Sequence, residues 1–246
     1  PFIGATSGYF ETLNRGKQSI ALDYRQPNGQ RLLQQIAAHC DVVIENFRPG
    51  QMASYHLDYD TLAAQSPHLI YVSLSGYGQT GVNASLKAYD VVVQAVSGLM
   101  SLTGLPELPI KTGPAIADAI AGLTAAVGLL GALWNRERTG MGRYVDVAMV
   151  DAVFACLENA LADYSVTGQL RERGANGDAV IAPFDCFPTC DSWIAVGVGN
   201  DRLWQAFAAE VDADLVADSR YRTNADRVAH YSTLRPILAR WCASQS

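Results

Sequence analysis

The sequence has too few histidines and cysteines for a metal framework and too little positive charge for a nucleic-acid surface. Its four histidines (His39, His56, His68, His230) and five cysteines (Cys40, Cys156, Cys186, Cys190, Cys242) are spread over 246 residues. An odd cysteine count without a C-x-x-C pair excludes a disulfide-stapled fold and a ribbon-type zinc site. Cys186 and Cys190 read as structural residues flanking a turn at Pro188. Lysine and arginine number 18 against 24 acidic residues, a net charge of −6, so the basic patch of a nucleic-acid binder is missing. No apolar run reaches membrane-spanning length uninterrupted. Residues 115–134 come nearest, but they are rich in Ala and Gly and carry Asp118, so a buried helix is expected there. The first residues, Pro1-Phe-Ile-Gly-Ala-Thr, have neither the basic start nor the apolar core of a secretory signal. The expectation is a cytoplasmic protein with no metal, no nucleic acid and no membrane among its partners.

What is present is an alternation of short apolar runs and amphipathic stretches. Residues 19–23 predict a short strand. Pro27 opens a helix in which Leu32, Leu33, Ile36 and Ala37 share one face over residues 30–39. Residues 41–45 form a continuous apolar run, the pattern of a parallel strand covered on both faces. A helix at 60–65 stops at Pro67, and 69–74 is the next strand. Strands alternating with helices imply βαβ units. Helices then dominate: 89–100, 114–138, and one running from Asp151 to about Tyr164. Residues 169–179 are polar and predict a loop, 194–198 a strand of a second sheet, and 200–210 and 224–241 two closing helices. The expected fold class is α/β: an open, mostly parallel, nucleotide-binding-like sheet with helices over residues 1–170. Residues 171–246 are expected to form part of a smaller α+β domain.

Several motifs carry chemistry. After the turn Thr139-Gly-Met-Gly-Arg143, the stretch Val145-Asp-Val-Ala-Met-Val-Asp-Ala-Val-Phe154 sets Asp151 where an extended segment gives way to an apolar helix. A carboxylate there is either a helix cap or a catalytic group kept ionised by helix N-terminal N–H groups. Asn14-Arg-Gly-Lys17 brings two cations beside a flexible glycine, as a solvated basic turn or as phosphate contacts. Glu45-Asn-Phe-Arg-Pro-Gly50 follows a parallel strand at the carboxyl end, where α/β folds bind ligands. Its plainer reading is an ordinary Pro-Gly turn. Gly76-Tyr-Gly-Gln-Thr-Gly81 matches the dinucleotide pattern G-x-G-x-x-G. That fingerprint needs a helix opening within it and an acid on the next strand about 20 residues on. Here residues 82–87 intervene and Glu107 lies in a proline-rich loop, so a nicotinamide enzyme is the weaker rival.

Taken in order, from about Asn14 to Gly199, these motifs resemble the class III CoA-transferases, the formyl-CoA and carnitine CoA-transferase family. The resemblance implies that CoA moves from an acyl-CoA thioester to a carboxylic acid through an aspartyl mixed anhydride and an aspartyl-CoA thioester, with Asp151 as the nucleophile. By the same resemblance Lys17 contacts CoA and Arg15 is a weaker candidate, Asn46, Phe47 and Arg48 cradle the adenosine and phosphates, and Lys87, Tyr89 and Asp90 line the acyl or acceptor pocket. No permanently bound cofactor is implied; the CoA thioester is a substrate. The related 2-methylacyl-CoA racemases place a histidine where Tyr89 stands. Two-base proton transfer needs a group that titrates near neutrality, and tyrosine does not, so Tyr89 favours a transferase. Many members carry a CoA-binding arginine where this chain has Ser54, with His56 nearby. The family forms dimers of linked rings, which implies a homodimer or other homo-oligomer. Members extend beyond this stretch at both ends, so the chain reads as truncated, and a non-catalytic CoA-binding or structural fold is the alternative.

Overall fold

The computed structural model describes residues 2–246. A two-stranded hairpin, β1 (Phe2–Ile3) and β2 (Thr6–Ser7), leads into α1 (Gly8–Asn14), and α2 (Pro27–Ala37) precedes β3 (Val42–Glu45). Then come α3 (Gln51–Ser54), α4 (Tyr59–Gln65), β4 (Ile70–Ser75), α5 (Asp90–Val96) and α6 (Leu99–Leu102). A small hairpin, β5 (Gly104–Leu105) and β6 (Leu108–Pro109), precedes the long α7 (Ile116–Thr139). Strand β7 (Tyr144–Ala148) runs directly into α8 (Met149–Phe154), followed by α9 (Asn159–Thr167). The hairpin β8 (Phe184–Pro188) and β9 (Trp193–Gly197) is followed by α10 (Asp201–Val211), α11 (Asp214–Ala217), α12 (Asn224–Ala229) and α13 (Tyr231–Ala243). The chain divides into two compact units: the N-terminal part up to Ser73 with Val127–Asp146, and Leu74–Ala126 with Val147–Ser246.

The sheet that runs through the first unit has the order β3-β4-β7. Strands β3 and β4 pair in parallel, Val42 opposite Ile70 and Glu45 opposite Ser73, as the βαβ pattern predicts. The central strand carries the buried residues Ile70, Tyr71 and Val72. Tyr71 packs with Ala37, Leu57, Leu62 and Leu69, and its hydroxyl donates to Leu57 O at 3.0 Å. Burial, then the nearby Glu45 charge, pushes the Tyr71 phenol well above its usual range. Strand β3, expected to be covered on both faces, lies at the edge of the sheet instead, and Ile44 is 60% exposed. A run of valine and isoleucine therefore marked a strand correctly and its covering wrongly. Residues 19–23 form no strand, and Ile20 is exposed. Asp23 instead accepts the Arg25 N–H and side chain in a turn that starts α2, so local side-chain bonding displaced strand formation.

The second unit has two cores. One joins α5, the first turns of α7 and α8 through Val93, Ala117, Ala121, Met149 and Val153. The other packs the β8–β9 hairpin on α10 to α13 through Phe187, Val196, Trp204, Tyr221, Leu234 and Leu238. Arg227 is fully buried in the latter. Its guanidinium donates to Ala182 O (2.6 Å), Tyr221 O (3.2 Å) and Asp201 Oδ1 (3.0 Å) and lies over the Trp204 ring. Three helices predicted as continuous are interrupted. The 89–100 segment breaks at Gly98 (φ 92°) and the one after Asp151 at Glu158 (φ 42°), both at positive φ, whereas the last breaks at His230 with φ −111°.

Helix α7 was expected to be buried, and most of it is not. Its covered stripe is made of Ala117, Ala121, Ala125 and Ala132, whereas Leu123, Val127, Leu130 and Trp134 are exposed. Apolar residues circle the helix, and the small ones take the inward face because alanine permits close approach. By length and composition alone it is the one described helix that is long and apolar enough to cross a membrane.

Two substitutions test this packing. Gly142 is buried, and a Cβ there would meet Leu69 O at 1.9 Å; Gly142→Ala should lower stability by about 2–3 kcal/mol in urea unfolding. Arg227→Met leaves four backbone or carboxylate acceptors, the Arg222 carbonyl among them, without their donor and should lower stability by about 3 kcal/mol in the same measurement.

Candidate functional site

The predicted site residues fall in both units. In the first, Lys17 follows Gly16 (φ 78°), just past α1. The Lys17 ammonium donates to Leu13 O (2.9 Å) and Asn14 Oδ1 (3.0 Å), so it is spent on the end of that helix. The Arg15 side chain is exposed and has no hydrogen-bond or ion-pair partner among the described residues, which makes it the freer of the two cations. The turn at Asn46, Phe47 and Arg48 leaves the carboxyl end of β3. It is held by Glu45, buried at the strand end, whose Oε2 accepts the Phe47 N–H at 2.7 Å. Phe47 lies 6.2 Å from the Tyr24 ring, which in turn meets Tyr55 edge-on at 5.2 Å. The Arg48 side chain is exposed and unpaired among the described residues. Ser54 spends its hydroxyl on Gln51 O at 2.7 Å, and His56 is exposed at a φ of 56°.

In the second unit, the glycine loop follows β4, with Gly78 and Gly81 at positive φ. No helix opens within it; the next begins at Asp90. The context of a dinucleotide fingerprint is therefore absent. Gly76 has its own reason to be glycine: a Cβ there would lie 2.3 Å from the Ala88 Cβ. Lys87 is exposed and unpaired among the described residues. Tyr89, at the N-cap of α5, is 81% exposed, so it is not a packing residue.

Asp90 links this pocket segment to the start of α7. Its Oδ1 accepts the N–H of Ala117 (2.8 Å) and of Asp118 (3.4 Å), and its Oδ2 accepts Gln94 Nε2 (2.6 Å). It therefore occupies first-turn donors that have no partner within α7. Asp118 sits in that first turn. Burial, and then the Asp90 charge, raise its pKa above the ordinary carboxylate value. Its carboxylate accepts no hydrogen bond among the described residues.

Asp151 is arranged differently. It sits, as its sequence suggests, in the first turn of α8, directly after β7. Met149, Ala152 and Val153 take the buried face, and Asp151 is about 200° around the helix from Met149. Its side chain is exposed and unpaired among the described residues, on the far side of α8 from the core shared with α5 and α7.

The second unit also holds a cavity of about 850 Å³ lined mainly by apolar residues, among them Val96, Leu102, Phe154, Leu157 and Leu161. The loop at 169–179 borders it and is anchored by Arg173 Nε to Leu105 O (2.8 Å) and by the Ala175 N–H to Gly104 O (3.0 Å). Among the described residues no cluster of three or more His, Cys, Asp or Glu side chains is arranged to hold a metal ion.

Comparison with known proteins follows the same lines. The chain is 39% identical to the acetyl-CoA:oxalate CoA-transferase of Acetobacter aceti, covering 100% of this chain and 64% of that protein. It is 36% identical to the human succinyl-CoA:glutarate CoA-transferase, covering 97% of this chain and 55% of the relative. Among solved structures, a CAIB/BAIF family protein from Brucella suis superposes with a TM-score of 0.84 at 36% identity, covering 98% of this chain and 64% of that one. The chain thus spans somewhat less than two thirds of these relatives. The family model for CoA-transferase family III matches residues 1–246, and the chain belongs to that family.

Proposed function

We propose that the protein transfers CoA from an acyl-CoA thioester to a short dicarboxylic acid, with Asp151 as the nucleophile. What carries this reading is the match to CoA-transferase family III over residues 1–246, together with the place of Asp151, exposed and unpaired among the described residues in the first turn of α8 directly after β7. Oxalate and glutarate in the relatives' names support the dicarboxylate. Asp118, in the first turn of α7 near Asp90, is the second candidate.

The chemistry needs only a carboxylate and two substrates. An Asp151 oxygen attacks the thioester carbonyl carbon and the C–S bond breaks, giving a mixed anhydride and CoA thiolate. The thiolate then attacks the aspartyl carbonyl carbon, releasing the donor acid as its carboxylate and leaving an aspartyl-CoA thioester. The acceptor carboxylate attacks that thioester and again expels the thiolate, which takes the acceptor's acyl carbon from the second anhydride. Asp151 is regenerated as a carboxylate. In this reading Arg15 and Arg48, the exposed and unpaired cations of the first unit, meet the CoA phosphates, with Lys17, Asn46 and Phe47 as further contacts. Lys87 pairs with the distal carboxylate of the acceptor. The exposed face of α7 at Leu123, Val127, Leu130 and Trp134 supports a homo-oligomer.

The test is intact-mass and peptide analysis after incubation with acetyl-CoA or succinyl-CoA and then hydroxylamine, which converts an activated aspartyl group into a hydroxamate. A label on the peptide holding Asp151, absent in Asp151→Asn and retained in Asp118→Asn, is the expected result. A label confined to Asp118 would transfer the nucleophile's role to α7. No label on folded protein would leave the non-catalytic CoA-binding fold as the better account. Calorimetry with CoA should show Arg15→Ala weakening binding roughly three- to ten-fold and Lys17→Ala less, with both effects shrinking in high salt.

A further inference from the structure

The apolar cavity of the second unit begins one helical turn from Asp151. Phe154, at the end of α8, forms part of its wall, together with Leu157 and Leu161. Phe154 and Asp151 are three residues apart on that helix, and both are exposed. Residues so spaced are neighbours, with about 5–6 Å between their Cβ atoms, so the carboxylate stands a side-chain length from the cavity wall. The backbone shapes the other sides. Gly98, between α5 and α6, lies in the wall at a φ of 92°, and a Cβ on it would meet Leu157 Cδ1 at 3.1 Å. Glu158, next to Leu157, holds a φ of 42°. That angle is strained for a residue with a side chain, and such strain collects at ligand sites. The two helix breaks at positive φ therefore fall at this cavity or beside it.

A volume of about 850 Å³ is that of a small-molecule site, and the charges on the wall say which kind of molecule fits. They belong to Arg171, Glu172 and Arg173. Arg171 Nε donates to Asp163 Oδ2 at 3.0 Å, and Arg173 donates to the carbonyls of Leu105 (2.8 Å) and Pro106 (2.5 Å). Glu172 is exposed, with no hydrogen-bond or ion-pair partner among the described residues. The two arginines are thus offset by Asp163 and Glu172, and no net positive charge remains to receive a carboxylate. Burying one there without a partner is unfavourable. Resting on the reaction proposed above, we propose that this cavity takes the acyl chain of the donor thioester and selects an uncharged chain longer than acetyl. The donor then differs in class from the dicarboxylic acceptor that Lys87 meets. The thioester carbon stays at Asp151, and the chain runs past Phe154 toward Leu161.

The experiment is an NMR titration of the full chain carrying methyl-labelled leucine, with the Leu161 signals assigned by their loss in Leu161→Val. The ligands are thioesters of N-acetylcysteamine, which lack the nucleotide of CoA and so need no phosphate contacts. The hexanoyl thioester should shift the Leu161 methyls saturably, because each buried methylene adds about three- to four-fold in affinity. It should bind at least ten-fold more tightly than the acetyl thioester. The adipyl thioester, equal in length but ending in a carboxylate, should bind at least ten-fold more weakly than the hexanoyl one. Leu161→Trp, which fills the cavity, should abolish the preference for hexanoyl over acetyl; the ligand series on the parent chain decides the matter if that variant does not fold. Leu161 methyls that ignore the hexanoyl thioester, or respond equally to the adipyl one, overturn the assignment. Methyls that respond only to dilution of the protein show a second copy of the chain in the cavity, and overturn it too. Saturable hexanoyl binding without hydroxylamine trapping at Asp151 upholds the acyl site and removes the proposed reaction instead.

Discussion

The contact between the Asp90 carboxylate and the first N–H groups of α7 governs the arrangement of the second unit's polar residues. A helix of 24 residues ends in several orphan donors at its N-terminus, and something must satisfy them. Here the acceptor comes from the first residue of α5, not from the residue preceding α7. That choice ties Tyr89 and Lys87, which precede Asp90, to the head of the long helix. It also leaves Asp118 as an acid near a like charge with no donor of its own. Burial and the Asp90 charge then act in the same direction on it. The hydrogen bonds are short-range, yet they bring together a glycine-loop segment and a helix start that are 28 residues apart in the chain.

The apolar packing around this contact is made mostly of small and β-branched residues. Val93, Ala117, Ala121, Met149 and Val153 bring α5, α7 and α8 close enough for Asp90 to reach across. The alanine stripe of α7 serves that approach, and its consequence is a set of large apolar side chains facing outward. In the second core of the same unit the polar anchor is Arg227, whose guanidinium meets four acceptors and lies over the Trp204 ring. Buried charge is tolerated there because every donor direction used is met by an acceptor or by the aromatic face.

Much of the fold was legible in the residues. The parallel pair β3–β4, the helix opened by Pro27 and strand β9 follow from periodicity, proline placement and β-branched runs. The elements that were misread have particular causes. Residues 19–23 have strand composition, but the Asp23 turn captured their chain direction. The Val-Val-Ile run of β3 predicted two covered faces, and its place at the sheet edge gave it only one. Helix breaks at Gly98, Glu158 and His230 depend on backbone angles that a hydrophobic pattern does not encode. The local bonding of the candidate residues was not legible: motif order names Lys17 and Asp90, but not that Lys17 bonds the end of α1 or that Asp90 caps α7.

Sequence alone determined the inventory: a chain with family-wide motif order, an acid at the head of each of two apolar helices, and cations beside glycine and proline turns. Those are properties of neighbouring residues, and neighbours are what a sequence records. Only the tertiary structure decided how the inventory is used. It spent Lys17 on the end of α1 and left Arg15 free, turned Asp151 to the outer face of α8, and set Asp90 against Asp118. Hydrogen-bond donors are claimed by whichever acceptor the packing brings within 3 Å or so, and that competition is resolved in space, between residues the chain keeps far apart.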